Sequence, residues 1–309
     1  MIKKVLIFGG FGFIGTNLTE ELINRGEYEI YIFEAKNAII QNPDLLEKTE
    51  VYYGDFNNIE DFEVIFKEQL IDMVIHLINT NIPYSSNKNI IFDIKSNLIN
   101  TINLLNIMLK YNCKNIVFLS SGGTIYGVSK DRNKKKETDS KNPISSYGIV
   151  KLTIEKYLHL YNNLYGLNYL ILRPSNPFGE YHNNQKQGII NVILKKVLNG
   201  ETVEIWGDGT VVRDFIYVKD LVKIIVDLFE SKIQNDIFNI GSGKGYSIDD
   251  IIEIIQKEMG NFKLEYKNAR KVDVPHLILN IDKLERYLDL NLTNIEEGIK
   301  KTSKWLKTI

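Results

Sequence analysis

The sequence predicts an α/β protein, a doubly wound parallel sheet followed by a smaller, mixed α/β C-terminal lobe. Three observations carry that prediction. Short β-branched apolar runs alternate with longer helical patterns through the first half of the chain, the rhythm of βαβ units. A glycine-rich turn from Gly9 to Gly15 joins the first run to the first helical pattern. The alternation breaks after Arg173-Pro174, where loops rich in Asn, Gly and Gln begin.

Taken in order, the runs that read as strands are Lys4 to Phe8, Ile30 to Phe33, Val51 to Tyr53, Met73 to Leu77, Asn115 to Leu119 and Tyr169 to Leu172. The intervening patterns predict helices near Thr16 to Arg25, Ile59 to Gln69, Ile94 to Tyr111 and Tyr147 to Tyr165. Six strands alternating with helices point to a doubly wound sheet. Beyond residue 174 the expected elements are a helix from Ile189 to Leu198, short strands at Glu201 to Ile205 and Arg213 to Val218, and a further sheet strand at Ile237 to Ile240. Helices at Asp249 to Met259 and Ile295 to Leu306 complete the chain. The expected organisation is therefore a sheet domain over residues 1–173, to which 220–242 returns, and a lobe over 174–309. The charge run Lys130 to Lys136 reads as a solvated loop.

A chain of 309 residues buries a sizeable core, and 44% hydrophobic with 25% charged residues is an ordinary globular balance. A formal net charge of -1 gives no electrostatic case for nucleic acid or a membrane surface. The one cysteine, Cys113, cannot close a disulfide within the chain, which fits a reducing cytoplasm, and its apolar flanks predict that it packs. The basic start and apolar run of residues 3–8 meet glycines and then Glu20 and Glu21, so they read as a strand and not as a secretory signal. Four scattered histidines and one cysteine offer no metal-ligand spacing, and no apolar stretch reaches membrane-spanning length.

Gly9-x-x-Gly12-x-x-Gly15 follows a strand and opens a helix, so backbone amides at the helix start can face a phosphate without obstruction by side chains. Glu34 ends the second strand about twenty residues on, where a carboxylate accepts hydrogen bonds from both ribose hydroxyls and repels a 2′-phosphate. This favours NAD over NADP, although Lys36 is close enough in sequence to reach a phosphate. Asp55, after Tyr53-Gly54, either bonds the adenine or caps the next helix. The candidate cofactor contacts are Gly9, Gly12, Phe13, Ile14, Gly15, Glu34, Asp55, Phe56 and Lys151 on a Rossmann-type sheet.

Three Tyr-x-x-x-Lys spacings occur: Tyr84/Lys88, Tyr126/Lys130 and Tyr147/Lys151. The first two sit among turn residues, whereas Tyr147 opens a long helical pattern and shares a face with Lys151. Lowering a phenol from a pKa of about 10 to about 7 requires roughly 4 kcal/mol. An ammonium about 4 Å away supplies roughly that at an effective dielectric near 20. The pair therefore suits proton abstraction from a hydroxyl, with Tyr147 as base and Lys151 lowering its pKa and binding the nicotinamide ribose.

The glycine fingerprint, Glu34, Gly54-Asp55 and Tyr147-x-x-x-Lys151 together resemble the extended short-chain dehydrogenase/reductase superfamily over nearly the whole chain. The branch they are most similar to is the nucleotide-sugar epimerases of the UDP-glucose 4-epimerase type. The stretch 120–127, Ser-Ser-Gly-Gly-Thr-Ile-Tyr-Gly, resembles that family's catalytic Ser/Thr segment. Leu172 to Gly179 resembles the turn whose Asn, here Asn176, contacts the sugar nucleotide. Trp206-Gly207-Asp208-Gly209 and Arg213-Asp214-Phe215 resemble the substrate lobe, and Arg270-x-x-Asp273 its nucleotide clamp. Asn97 matches a position near the active site, and Leu277 falls where a gate residue meets bulky N-acetyl substrates. His76 is expected to pack beside the cofactor.

The resemblance implies an NAD-dependent enzyme in which Tyr147 takes the C4 hydroxyl proton of a nucleotide sugar while hydride passes to nicotinamide. Return of the hydride to the other face of the 4-keto sugar gives the C4 epimer. One departure matters: the usual catalytic hydroxyl position is Gly122 here, and Thr124 or Ser121 is expected to replace it, Thr124 being preferred. Dehydratases of the superfamily carry an Asp-Glu pair where this chain has Gly123-Thr124, which argues against dehydration. A 4-ketosugar reductase or sugar-nucleotide dehydrogenase is the rival enzyme reading. A non-catalytic NAD-binding module is the rival of another class, opposed by the Tyr147/Lys151 pair. The family also implies a homodimer through the helices at Ile94 to Tyr111 and Tyr147 to Tyr165, with no nucleic-acid or membrane partner.

Overall fold

The computed structural model describes residues 2–128, 132–182, 187–268 and 274–308. Its main sheet holds β1 (Lys3–Phe8), β2 (Tyr28–Glu34), β3 (Glu50–Tyr53), β4 (Met73–His76), β5 (Asn115–Leu119), β6 (Asn168–Pro174) and, later in the chain, Asp236–Ile240. All seven are parallel, in the order 236–240, β6, β5, β4, β1, β2, β3. The α/β doubly wound prediction thus holds. Chain order reverses between β1 and β4, where Phe8 pairs with both Phe33 and His76, so a crevice opens at the carboxyl ends of these strands.

Both faces of the sheet are covered, which is why its strands read as continuous apolar runs. Val5, Ile7, Ile30, Ile32, Ile75 and Val117 face one side, against the helices Phe13–Arg25 and Val218–Glu230. The alternate residues Leu6, Phe8, Tyr31, Phe33, Val74 and Phe118 face the other, against Ile59–Glu68, Asn100–Lys110 and Ser146–Tyr165. The Val218–Glu230 helix is absent from the expected elements. It buries Leu221, Val222, Ile225, Leu228 and Phe229, each worth about 1.5–3 kcal/mol of apolar burial, and closes one face of the sheet.

The lobe is built on β7 (Asn176–Phe178), β8 (Val203–Trp206) and β9 (Val212–Tyr217); with Asp236–Ile240 as β10, β11 (Gly245–Ser247), β12 (Leu264–Lys267) and β13 (His276–Leu277) follow. β9 is central, paired with β7, β11 and β13, and β8 pairs with β12. Helices Ile189–Leu198, Ile248–Met259 and Ile295–Leu306 pack on them around Phe178, Ile193, Ile205, Phe215 and Ile299. Within the described part of the charge run, residues 132–134 and 136 are exposed as in a solvated loop, while Lys135 is buried and its backbone pairs with Leu279. Cys113 is buried, and burial pushes its thiol up to about 12, leaving it inert. Among the described residues no helix is long and apolar enough to cross a membrane.

Candidate active site

Two cavities meet at the glycine turn. One, of about 620 Å³, is lined by Gly9, Gly12, Glu34 to Asn37 and Gly54 to Asn57. The other, of about 560 Å³, runs from Gly9, Gly12, Phe13, Ile14 and Gly15 past Ser121 to Tyr147, Lys151 and Asn176. The three glycines have different reasons to be glycine. Gly9 has φ +89°, in the left-handed region. A β-carbon at Gly15 would lie 2.1 Å from the Gly9 carbonyl, so helix and strand could not approach. At Gly12 the nearest atom is 3.4 Å away, and the residue borders both cavities. Only an incoming group needs the space that Gly12 leaves.

Glu34 is oriented by the same turn: its carboxylate accepts from the Phe11 and Ala35 N–H groups, each at 3.0 Å. Asp55 Oδ1 accepts from the Asn57 backbone and side chain at 2.9 and 2.7 Å, closing its own turn while the residue lines the cavity wall. Phe56 is mostly buried, edge-on to Phe8 at 5.6 Å. A carboxylate at the end of β2 and unobstructed backbone at a helix start fit a dinucleotide. His76 does not line either cavity. It is buried among Phe8, Phe56 and Phe118, bonded to Thr101 at 2.9 Å, and burial with the neighbouring Lys151 pushes it down to about 3.

The N-terminus of the Ser146–Tyr165 helix fixes Tyr147. Ser145 Oγ accepts from Gly148 N at 3.2 Å, and Ser86 Oγ accepts from Tyr147 N at 3.1 Å. Ser146 donates its hydroxyl to the buried Asp93 at 2.6 Å and its N–H to Asn87 at 2.8 Å. One turn on, Lys151 Nζ donates to the Leu119 carbonyl at 2.8 Å and stands 5.9 Å from the Tyr147 ring centroid. Asn97 does not reach the cleft. It holds the Asn79–Pro83 segment, accepting from Thr80 N at 3.0 Å and donating to Asp93 at 3.0 Å. That segment borders the second cavity and was not singled out from sequence, although its Asn-Thr-Asn-Ile-Pro run after β4 is a loop signal.

The electrostatics of the pair differ from expectation. Burial pushes the Tyr147 phenol up to about 12, a rise tempered by its hydrogen bond with Ser121. Burial pushes Lys151 down to about 7 against the pull of Asp93 and Glu155. The predicted drop of the phenol toward 7 is not a property of these two residues alone.

Ser121 lines the same cavity wall as Tyr147 and moderates the rise of its phenol. Thr124, the preferred stand-in, is not on the cavity wall; its Oγ1 is buried without a hydrogen-bond partner. The glycine at 122 has a steric cause, because a β-carbon there would meet Leu279 at 2.6 Å and the Arg173 and Pro174 carbonyls at 2.8 and 3.0 Å. Asn176 donates to the Asp214 carbonyl at 2.8 Å and borders both the second cavity and a third, of about 210 Å³, shared with Trp206 and Arg213. Arg213 Nη1 bonds the adjacent Val212 carbonyl at 2.9 Å. Arg270 and Asp273 lie outside the described residues. Leu277 lines neither of the two cavities; it is buried with Ile125, Val274 and Leu279.

Behind the site, Glu155 and Arg173 form a fully buried ion pair with N–O distances of 2.6 and 3.0 Å, and Ser120 donates to Glu155 at 2.6 Å. The pair ties the ends of β5 and β6 to the helix that carries Tyr147.

Residues 5–241 match the model of the NAD dependent epimerase/dehydratase family. The chain is 35% identical, over 98% of both chains, to a putative UDP-glucose 4-epimerase of Methanocaldococcus jannaschii. It is 31% identical to a dTDP-4-dehydro-6-deoxyglucose reductase of Escherichia coli, over 98% of this chain and 97% of that one. The crystal structure of a Thermotoga maritima UDP-glucose 4-epimerase with UDP-glucose superposes with a TM-score of 0.92 at 32% identity, covering 99% of both chains.

Proposed function

The chain belongs to the NAD dependent epimerase/dehydratase family, and we propose that it is a nucleotide-sugar 4-epimerase working through a transient 4-keto sugar, with a UDP-hexose as substrate. The observation that carries the reading is the meeting of Ser121, Tyr147 and Lys151 where the dinucleotide cavity opens toward Asn176. When bound, NAD takes up and returns the hydride of the sugar C4 carbon. Gly12 would leave the space for its diphosphate, Glu34 would accept from its adenosine ribose, and Lys151 would donate to its nicotinamide ribose.

Tyr147 is the proton acceptor for the C4 hydroxyl, and Ser121, on the same cavity wall, is the hydroxyl that shares that proton. Burial by itself holds the phenol too high for this work. A charged Lys151, its charge favoured by Asp93 and Glu155, lowers it. Asn176 and Arg213 border the small third cavity and bind the nucleotide end, with Arg213 supplying fixed charge for the diphosphate. Arg270 and Asp273 are assigned to the same end by their motif.

A homodimer is part of the proposal. Ile90, Ile91, Phe92 and Ile99 expose apolar side chains on one helix, and Ile149 and Leu160 do so on the Ser146–Tyr165 helix beside it. Two such faces bury each other in a four-helix contact.

The test is to incubate the protein as purified, without added cofactor, with UDP-, dTDP- and GDP-hexoses. Interconversion of C4 epimers supports the reading. Stoichiometric consumption of NADH with a ketosugar, and no interconversion, assigns the chain to the reductases, a reading favoured only by the 31% identity to one of them.

A further inference from the structure

We propose that the segment from Ala35 to Asn42, pinned to Tyr181, is a strap that holds NAD in the cleft from one turnover to the next. The proposal rests on NAD as the resident cofactor and deepens the epimerase reading, because an epimerase must return the hydride to the same sugar. A reductase exchanges its dinucleotide at every turnover.

The segment leaves β2 directly after Glu34. Ala35, Lys36 and Asn37 border the first cavity, and Ile39 and Gln41 border the second, so it follows the length of the dinucleotide cleft. Its far end is fastened to the lobe. Gln41 donates to the Tyr181 carbonyl at 2.7 Å, and the Asn42 side chain donates to Glu20 at 2.6 Å. Tyr181 donates its hydroxyl to the same Glu20 oxygen at 2.6 Å, and Lys219 pairs with the other carboxylate oxygen at 2.5 Å.

Tyr181 has φ 63°, a left-handed conformation costly for a residue with a β-carbon, and these contacts over-determine it. Its neighbours grip the glycine turn from the opposite side. Asn17 donates to the Glu180 carbonyl at 3.0 Å, and the buried His182 ring stands edge-on to Phe13 at 4.5 Å. Release of a dinucleotide past this rim requires the Gln41 and Asn42 bonds to break together.

The experiment measures cofactor retention apart from catalysis. Full-length protein is gel-filtered, its NAD is released by acid and counted per chain, and exchange against labelled NAD is timed. Wild type is expected to keep close to one NAD per chain. Gln41→Ala and Tyr181→Phe are expected to exchange about 10- to 100-fold faster, as loss of one or two hydrogen bonds implies, and their turnover becomes dependent on added NAD. If Tyr181→Phe fails to fold, Gln41→Ala carries the test alone. Wild type that emerges free of NAD, or variants that exchange at the wild-type rate, would overturn the strap. Wild type that keeps NAD but interconverts no C4 epimers would overturn the epimerase reading and leave the strap standing.

Discussion

Restoring the family's usual hydroxyl, by Gly122→Ser, should damage this protein and not improve it. The new β-carbon would lie 2.6 Å from Leu279 Cδ1, 2.8 Å from the Arg173 carbonyl and 3.0 Å from the Pro174 carbonyl. Leu279 is fully buried against Ile125 and Val274, so it can move only by disturbing that cluster. The carbonyls belong to a strand end held by the Glu155–Arg173 pair at 2.6 Å and by the bond from Ser120 N to the Leu172 carbonyl at 2.7 Å. Overpacking of this kind costs about 1–3 kcal/mol. In a chain of this size that is a fall in Tm of roughly 2–4 °C per kcal/mol. Calorimetry and kcat are measured on Gly122→Ser, Ser121→Ala and Thr124→Val together. Ser121→Ala should lose about 100-fold or more in kcat. Thr124→Val should keep its turnover and gain stability, because it removes a buried hydroxyl without a partner. A Gly122→Ser protein with unchanged Tm and higher kcat, or full turnover in Ser121→Ala, would refute the assignment of the hydroxyl to position 121.

Tyr147→Phe should lower kcat by about 10²- to 10⁴-fold while acid release still yields bound NAD; wild-type turnover would remove Tyr147 from the chemistry. The Lys151 amine, which burial holds near 7 in the fold against about 10.4 in the unfolded chain, gives stability that is complete above the unfolded value and lost as pH falls through the folded one, read on protein stripped of NAD. Denaturant titrations of wild type and Lys151→Met from pH 7 to 8.5 should therefore converge in slope only below that window. Within it the wild type gains up to about 1.4 kcal/mol per pH unit relative to the variant, and parallel curves would contradict the burial argument. Phe92→Asp combined with Leu160→Asp places charge on the exposed apolar face and should halve the mass seen by light scattering. A wild type that is already monomeric would remove the dimer.

The sheet was legible because Val5 to Phe8, Ile30 to Phe33 and Ile116 to Leu119 are buried on both faces and so read as unbroken apolar runs. The Val218–Glu230 helix was not. Its β-branched Val222, Ile224, Ile225 and Val226 follow a strand directly, where a short apolar run suits either element. β7, β11 and β13 have two or three residues each and carry no period. In the candidate site, spacing led to Tyr147, Lys151 and the glycine turn, since each lies on one element.

The choice between Ser121 and Thr124 depends on how a one-turn helix at Gly122–Ile125 is oriented by packing beneath it, which spacing does not encode. Leu277 is located in the sequence by likeness alone, whereas its burial follows from pairing with Arg213 in the lobe sheet. Spacing leads to Lys151 and Tyr147 but not to their pKa values, because these are set first by burial, which the sequence does not show. Tyr181 left no sequence signal, since a left-handed tyrosine is created by contacts from four separate segments.

The most direct measurement follows the hydride itself. UDP-glucose carrying deuterium at C4 is incubated with the protein as purified, and the UDP-galactose formed is examined by mass spectrometry and NMR. A retained cofactor and a 4-keto intermediate predict deuterium still at C4 in the product, with none in free dinucleotide. Hydrogen at C4 of the product, or deuterium accumulating in added NAD, would contradict the account.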